Sequence, residues 1–148
     1  MPLSDLLGVN LDRIRPDAET VGRLLHSADR HIADARVSAI SAETRFTSSY
    51  TAARMLADIG LHANGYRILT SKPGHHIVAI QALTETLGID PRVIIRLDAL
   101  RKQRNAAEYS GDLVPESAVT ECLSQAESLY KATVAWLKIH KPRLLSKF

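Results

Sequence analysis

The chain has little cysteine and few aromatic residues. Among its 148 residues Cys122 is the single cysteine, which excludes an internal disulfide framework and fits a reducing compartment. Because apolar residues recur at helical spacing around it, we interpret Cys122 as a small buried side chain rather than a nucleophile. Aromatic residues make up only 5% of the sequence, so leucine, isoleucine, valine and alanine must fill the core. Alanine and leucine favour helices packed on helices, since strands prefer β-branched and aromatic side chains.

The chain also lacks any long apolar run. No stretch approaches the roughly 20 apolar residues that a membrane-spanning helix needs, so we expect no membrane partner. The first residues, MPLSDLLGVNLDRIRPD, include an early aspartate and no continuous apolar segment, which argues against a signal peptide and favours a cytoplasmic location. The net charge of +3 permits a phosphate-bearing ligand without requiring one. No metal-ligand cluster or phosphate-binding glycine loop is visible, so we expect no metal and no cofactor.

Apolar residues recur at helical spacing in five segments, and no segment alternates with a period of two. Start and stop signals bound several of them: Pro16 precedes the first, Asn64-Gly65 ends the second and Asp90-Pro91 begins the fourth. Residues 65–76, GYRILTSKPGHH, are expected to form a loop because of their glycine and proline content. The predicted helices cover residues of about 17–36, 38–63, 75–87, 91–109 and 115–140.

We therefore predict an all-α fold, an up-and-down bundle of four to five helices with short connections. The length is that of one ordinary domain, which buries a core without metal or disulfide support. We assign residues 1–148 to a single domain, in which residues 1–16 form an N-terminal extension and residues 17–140 form the core.

The stretch RKQRNAAEY, residues 101–109, interrupts the apolar face of the fourth helix. On a helical wheel of about 100° per residue, Leu97 and Leu100 define the buried stripe. Arg104 and Glu108 fall within about 20° of Leu97, in the middle of that stripe. The side chains of this stripe change from apolar to charged halfway along the fourth helix. This change predicts either a buried ion-pair network or the wall of a polar cleft.

Three interpretations of this stretch are open. In the first, the helix outruns the bundle and this face is solvated; in the second, Arg104 and Glu108 form a structural i,i+4 ion pair. In the third, Arg101, Arg104 and Asn105 form a clamp for a phosphate or carboxylate, because arginine presents a planar fork of donors. The amide of Asn105 and the phenol of Tyr109, on the same side of the helix, favour the third interpretation.

The segment RNAAEY, residues 104–109, resembles the Arg-Asn-x-x-x-His motif of the HEPN (higher eukaryotes and prokaryotes nucleotide-binding) superfamily. Arg104 and Asn105 match the start of that motif, and Tyr109 takes the place of its histidine. Residues 50–83, YTAARMLADIGLHANGYRILTSKPGHHIVAIQAL, are similar to the alanine-rich second helix, the GYR turn and the GHH helix start of bacterial members. The resemblance extends from about residue 20 to residue 140.

The resemblance implies a HEPN-like helical bundle that forms homodimers through its motif helix. In active members the motif arginine and histidine form a metal-independent RNA-cleaving site between two protomers. Arg104 and Tyr109 occupy these catalytic positions here, but a tyrosine phenol keeps its proton at neutral pH and is a poor general base. The resemblance therefore implies weak or absent ribonuclease activity, and an antitoxin or a nucleotidyltransferase as a possible protein partner.

We expect a homodimeric domain that binds RNA or a nucleotide phosphate in a cleft at the motif helix. One alternative is a protein–protein interaction or dimerisation module with no nucleic-acid ligand. The other is an active endoribonuclease that uses Tyr109 or a histidine from residues 72–76. A histidine pair begins the third helix, where the positive end of the helix dipole attracts anions. The simpler interpretation of the pair is that one ring packs on the bundle and the other is solvated. The expected ligand-binding residues are Arg101, Arg104, Asn105, Glu108, Tyr109, His75 and His76.

Overall fold

The computed structural model describes residues 3–69, 71 and 75–148, with only the backbone for His75 and His76. This part of the chain is mostly helical, which confirms the predicted all-α class at that coarse level. None of its helices is long and apolar enough to cross a membrane. The α-helices are α1 (Ala18–Ala35), α2 (Ala42–Ala63), α3 (His75–Gln81), α4 (Leu83–Leu87), α5 (Pro91–Ser110) and α6 (Glu116–His140); the strands are β1 (Leu11–Arg13) and β2 (Tyr66–Ile68), and short 3₁₀ turns cover Leu3–Leu6 and Pro142–Leu145.

Helix boundaries follow the capping residues of the sequence. Helices α1, α5 and α6 begin and end within about one residue of the prediction. Asp17 is the N-cap residue of α1, and Asp90 is the N-cap residue of α5. Helix α2 begins at Ala42 rather than at residue 38. The Ser41 hydroxyl accepts a hydrogen bond from the backbone N–H of Thr44 at 3.3 Å, so serine caps the helix instead of lying inside it.

Helix α2 lies at the centre of the packing. It packs against α1 and α6 along its length, and it also contacts α3, α4, α5 and β2. Small residues allow this close approach: a Cβ atom at Gly60 would lie 2.7 Å from Oγ1 of Thr86 in α4. The buried side chains of α2 include Phe46, Tyr50, Ala53, Leu56 and Ala57.

The structure contains a two-stranded antiparallel ribbon, although no strand was predicted. One of its strands lies within residues 65–76, which were expected to form a loop. Strands β1 and β2 pair with Leu11 opposite Ile68 and Arg13 opposite Tyr66. Leu11 is fully buried, so the ribbon attaches the segment before α1 to the core. Three-residue strands are too short to show an alternating pattern, and their pairing partners are far apart in the sequence.

The predicted third helix, residues 75–87, is two short helices in the structure. Helix α3 ends at Gln81, and α4 begins at Leu83 after Ala82, whose backbone angles are φ −85° and ψ 0°. Apolar residues continue at helical spacing across this break, because both helices pack on the same core. Periodicity alone therefore could not locate the interruption.

One histidine connects the end of α2 to the start of α1. The backbone N–H of Asp17 donates to Nε2 of His62 at 2.9 Å, which requires that this nitrogen is unprotonated. Burial lowers the pKa of His62 below its ordinary value of 6.5, although the nearby Asp17 acts in the opposite direction. The unfolded chain therefore takes up this proton at higher pH than the folded chain. The contribution of neutral His62 to the free energy of unfolding is present above pH 6.5, and it is lost as the pH falls toward the pKa of His62 in the folded chain.

We expect the free energy of unfolding to fall between about pH 7.5 and about pH 5.5, across the ordinary range of histidine. His62→Gln should reduce this fall, because a glutamine carbonyl oxygen can accept the same hydrogen bond without titrating. Urea unfolding at both pH values measures the effect, and His140→Gln at an exposed position serves as the control. If the free energy of unfolding fell equally in the wild type and in His62→Gln, the pH dependence would not come from His62.

Candidate functional site

Helix α5 carries the stretch that the sequence analysis singles out. Leu97 and Leu100 are its buried residues, and the helix packs against α2, α3 and α6. The half-buried Ile94 and Ala107 pack against the same core. The supported length of α5 therefore runs from about Ile94 to Ala107 and includes Arg101, Arg104 and Asn105.

Arg104 is half-buried on the packed side of α5, as the helical wheel places it. Its Cζ lies 4.6 Å from the centroid of the Tyr50 ring in α2, within the distance of a cation–π contact. Its Nη2 donates to Oδ1 of Asn105 at 3.2 Å, while its Nε is buried and has no hydrogen-bond acceptor among the described residues. Within the same part of the chain, no carboxylate forms an ion pair with Arg104. The guanidinium is thus held in place without a carboxylate partner among the described residues.

Arg101 lies one turn before Arg104 and has a carboxylate partner. Its Nε and Nη2 donate to Oδ1 of Asp98 at 3.1 and 3.0 Å, and Nζ of Lys102 lies 3.3 Å from Oδ2 of the same carboxylate. These contacts lower the pKa of Asp98, with the hydrogen bond from Arg101 as the main cause. Asp98 was not among the predicted site residues, although its i,i+3 and i,i+4 spacing to two cations is a recognisable signal.

Glu108 and Tyr109 do not join Arg104 in this chain. Both are exposed, with 84% of the Tyr109 surface accessible, and no ion pair or hydrogen bond links either side chain to Arg104 in the described part of the structure. The i,i+4 ion pair between Arg104 and Glu108 is therefore not formed. A helical wheel shows the direction in which a side chain points, but it does not show where the neighbouring helices end. The last turn of α5 extends beyond its contacts with those helices. The first interpretation thus applies to the helix end, and the second is wrong.

Tyr50 in α2 is a part of the site that was not among the predicted site residues. It is 1% exposed and forms the surface on which Arg104 stacks. Its hydroxyl is buried and has no hydrogen-bond partner among the described residues. Burial raises the pKa of Tyr50, while the positive charges of Arg104, Arg101 and Arg54 act in the opposite direction. Nothing in the sequence pattern links residue 50 with residue 104, since the contact depends on how the two helices pack.

A cavity of about 230 Å³ lies between α2, α3 and α5, beside the stacked pair of Tyr50 and Arg104. Isoleucines from α3 and α5 form much of its wall, and its polar groups come from α2, from Gln81 at the end of α3, and from α5. Its lining includes Tyr50, Ile77, Ile80, Ile94, Asp98 and Arg101.

The remaining candidates do not add to this site. Cys122 is buried, and burial raises the pKa of its thiol to about 12, which leaves it protonated and unreactive at neutral pH. The side chains of His75 and His76 lie outside the described residues, as does most of the segment 72–76. Among the residues that the structure describes, no group of three or more His, Cys, Asp or Glu side chains is placed to hold a metal ion.

The structure thus brings Arg101, Arg104 and Asn105 together on one supported face, and adds Tyr50 and Asp98 to them. This arrangement offers two guanidinium groups beside a small and mostly apolar cavity, and one of them has no carboxylate partner in the part of the chain that the structure describes. A comparison of the chain with family models, curated proteins and solved structures finds no match.

Proposed function

We propose that this chain is a HEPN-type helical domain that binds RNA or a nucleotide phosphate, as a homodimer, at the face of α5. Arg101, Arg104 and Asn105 form the phosphate-binding centre, and Glu108 and Tyr109 lie at its edge. The observation that carries the proposal is the half-buried guanidinium of Arg104, which has no carboxylate partner in the described residues. A partly buried charge without a counter-ion is costly, and a bound phosphate would supply that counter-ion.

The local geometry suits recognition of an anion. Stacking on Tyr50 and the hydrogen bond to Asn105 restrict the Arg104 side chain, so less conformational entropy is lost when it binds a ligand. Arginine presents paired donors that match two phosphate oxygens. The bonds of Arg101 to Asp98 use Nε and Nη2, so Nη1 forms no hydrogen bond among the described residues and can donate to a ligand.

The arrangement supports binding better than RNA cleavage. A general base must reach the 2′-hydroxyl within hydrogen-bond distance while the phosphate is held. Tyr109 is exposed beyond the packed part of α5, and no hydrogen bond among the described residues orients its phenol toward Arg104. The proposal therefore includes weak or absent ribonuclease activity, and the role beside an antitoxin or a nucleotidyltransferase rests on the sequence resemblance alone.

A second candidate function is a protein-interaction module, and one observation favours it. Tyr109 at the end of α5 is 84% exposed, Leu113 in the connection after it is 86% exposed, and Ile95 near the start of α5 is 70% exposed. Large apolar side chains at such positions are often covered by a partner or a second copy. In the first proposal this surface belongs to the homodimer; in the second it binds another protein and Arg104 has no ligand.

The salt dependence of RNA affinity tests the first proposal. Each phosphate neutralised on a single strand contributes about −0.7 to the slope of log K against log salt, so two arginines from each of two protomers predict a slope of about −3. Fluorescence anisotropy with a labelled single-stranded RNA measures this slope, and light scattering measures the oligomeric state. A flat salt response would exclude the phosphate site, and a strict monomer would exclude the composite dimer cleft.

A cleavage assay separates binding from catalysis in the same samples. We expect the RNA to remain as intact with the wild type as with Arg104→Ala. Faster cleavage by the wild type would instead support the active ribonuclease.

A further inference from the structure

The cavity between α2, α3 and α5 has the size of a small organic molecule. Its volume is about 230 Å³. An engineered apolar cavity of about 150 Å³ stays dry and binds benzene, so this cavity has room for one six-membered ring and a short polar substituent. Ile77, Ile80 and Ile94 form an apolar wall suited to such a ring. The cavity is too small for a drug-sized ligand, which needs about 300 Å³ or more.

One residue of the cavity wall, Tyr50, carries a buried and unsatisfied hydroxyl. Tyr50 lines the cavity and is 1% exposed, and its hydroxyl has no hydrogen-bond partner among the described residues. Buried hydroxyl groups nearly always have a partner, because burying one without a hydrogen bond is energetically costly. A ligand in the cavity can supply the missing acceptor once a small shift of the Tyr50 side chain brings its buried hydroxyl to the cavity surface.

The charges around that hydroxyl favour a negative ligand. Arg101 lines the cavity, and Arg104 stacks on the ring of Tyr50 at 4.6 Å. Arg104 has no carboxylate partner in the described part of the chain. The acidic residue of the lining, Asp98, is already bonded to Arg101 and to Lys102, so its charge is largely compensated.

We propose that this cavity binds a small monocarboxylate with an apolar body, such as an aromatic ring carrying one carboxylate. The ring packs against Ile77, Ile80 and Ile94. The carboxylate accepts a hydrogen bond from the Tyr50 hydroxyl within the positive field of Arg101 and Arg104. The assignment goes beyond the RNA site proposed above: it requires a separate ligand and a cavity that an RNA phosphate does not fill.

Benzoate and benzamide form a matched pair of probes, because they have nearly the same shape and differ in charge. We expect benzoate to bind at least tenfold more tightly than benzamide in calorimetric titrations of the full chain. Tyr50→Phe removes only the hydroxyl and should weaken benzoate binding at least tenfold. Ile94→Phe fills the cavity and should abolish it. Tyr130→Phe, in α6 away from the cavity, is the control and should leave the affinity unchanged.

Three outcomes would overturn the proposal. They are no detectable benzoate binding, equal affinity for benzamide, and an affinity that is unchanged in Tyr50→Phe. Thermal unfolding confirms that each variant is folded before titration, and Ile94→Phe provides a second test that keeps the Tyr50 hydroxyl intact. RNA affinity is measured in parallel: failure of benzoate binding with normal salt-dependent RNA binding rejects this inference alone. Loss of RNA binding with intact benzoate binding rejects only the RNA site.

Discussion

Arg104→Met is expected to weaken RNA binding roughly tenfold or more while the folded chain keeps its stability. Removing a charged group that holds an anion in a desolvated site costs about 2 kcal/mol or more, which corresponds to more than a tenfold loss of affinity. Methionine is similar in length, and its sulfur can pack against the Tyr50 ring that Arg104 now covers. The loss of the cation–π contact is offset because a half-buried charge without a counter-ion is removed.

Anisotropy titrations with labelled RNA measure the affinity of this variant, and urea unfolding measures its stability. The matched control is Arg92→Ala, at the other end of α5, where the side chain is 81% exposed and bonded to Asp90. This control should change RNA affinity little. We expect the free energy of unfolding of Arg104→Met to stay within about 1 kcal/mol of the wild type or to rise. A large loss of stability with unchanged RNA affinity would show that Arg104 is a structural residue.

Two substitutions of Tyr50 are expected to change stability in opposite directions. Tyr50→Ala should lower the free energy of unfolding by about 3–5 kcal/mol, because it empties the space of a buried aromatic ring at the centre of the packing. Tyr50→Phe should raise it by about 1 kcal/mol, because the ring remains and a buried hydroxyl without a partner is removed.

Chemical unfolding in urea, with the midpoint and the slope fitted together, measures both effects. Tyr109→Phe is the control, since Tyr109 is 84% exposed and its hydroxyl is solvated; its stability should not change. A loss of stability in Tyr50→Phe would mean that the hydroxyl is hydrogen-bonded in solution. The benzoate site proposed above would then lose its main support.

Local signals in the sequence were enough to predict most helices. Capping by Asp17 and Asp90 depends on neighbouring residues only, which is why the starts of α1 and α5 agree with the prediction. The ribbon between β1 and β2 joins segments more than 50 residues apart, and its three-residue strands carry no periodic pattern. The boundary between α3 and α4 at Ala82 could not be predicted either, because the helical spacing of apolar residues continues across it.

The candidate site was only partly predictable. The helical wheel places Arg104 on the packed side of α5, because the angle between residues of one helix is fixed by geometry. The same wheel fails for Glu108, since it contains no information on where α2 and α6 stop supporting α5. Tyr50 could not be assigned to the site at all: its contact with Arg104 depends on tertiary packing between two helices.

The shallow attachment of α5 has a consequence for amide hydrogen exchange. Of its 20 residues only Leu97 and Leu100 are buried, whereas α2 is buried along most of its length. Helices with few buried contacts open locally without unfolding of the whole domain, so the amide hydrogens of α5 should exchange faster than those of α2. A ligand held by Arg104 binds only the closed helix and therefore slows exchange in α5. The site thus lies on the helix whose local opening a bound anion would suppress most.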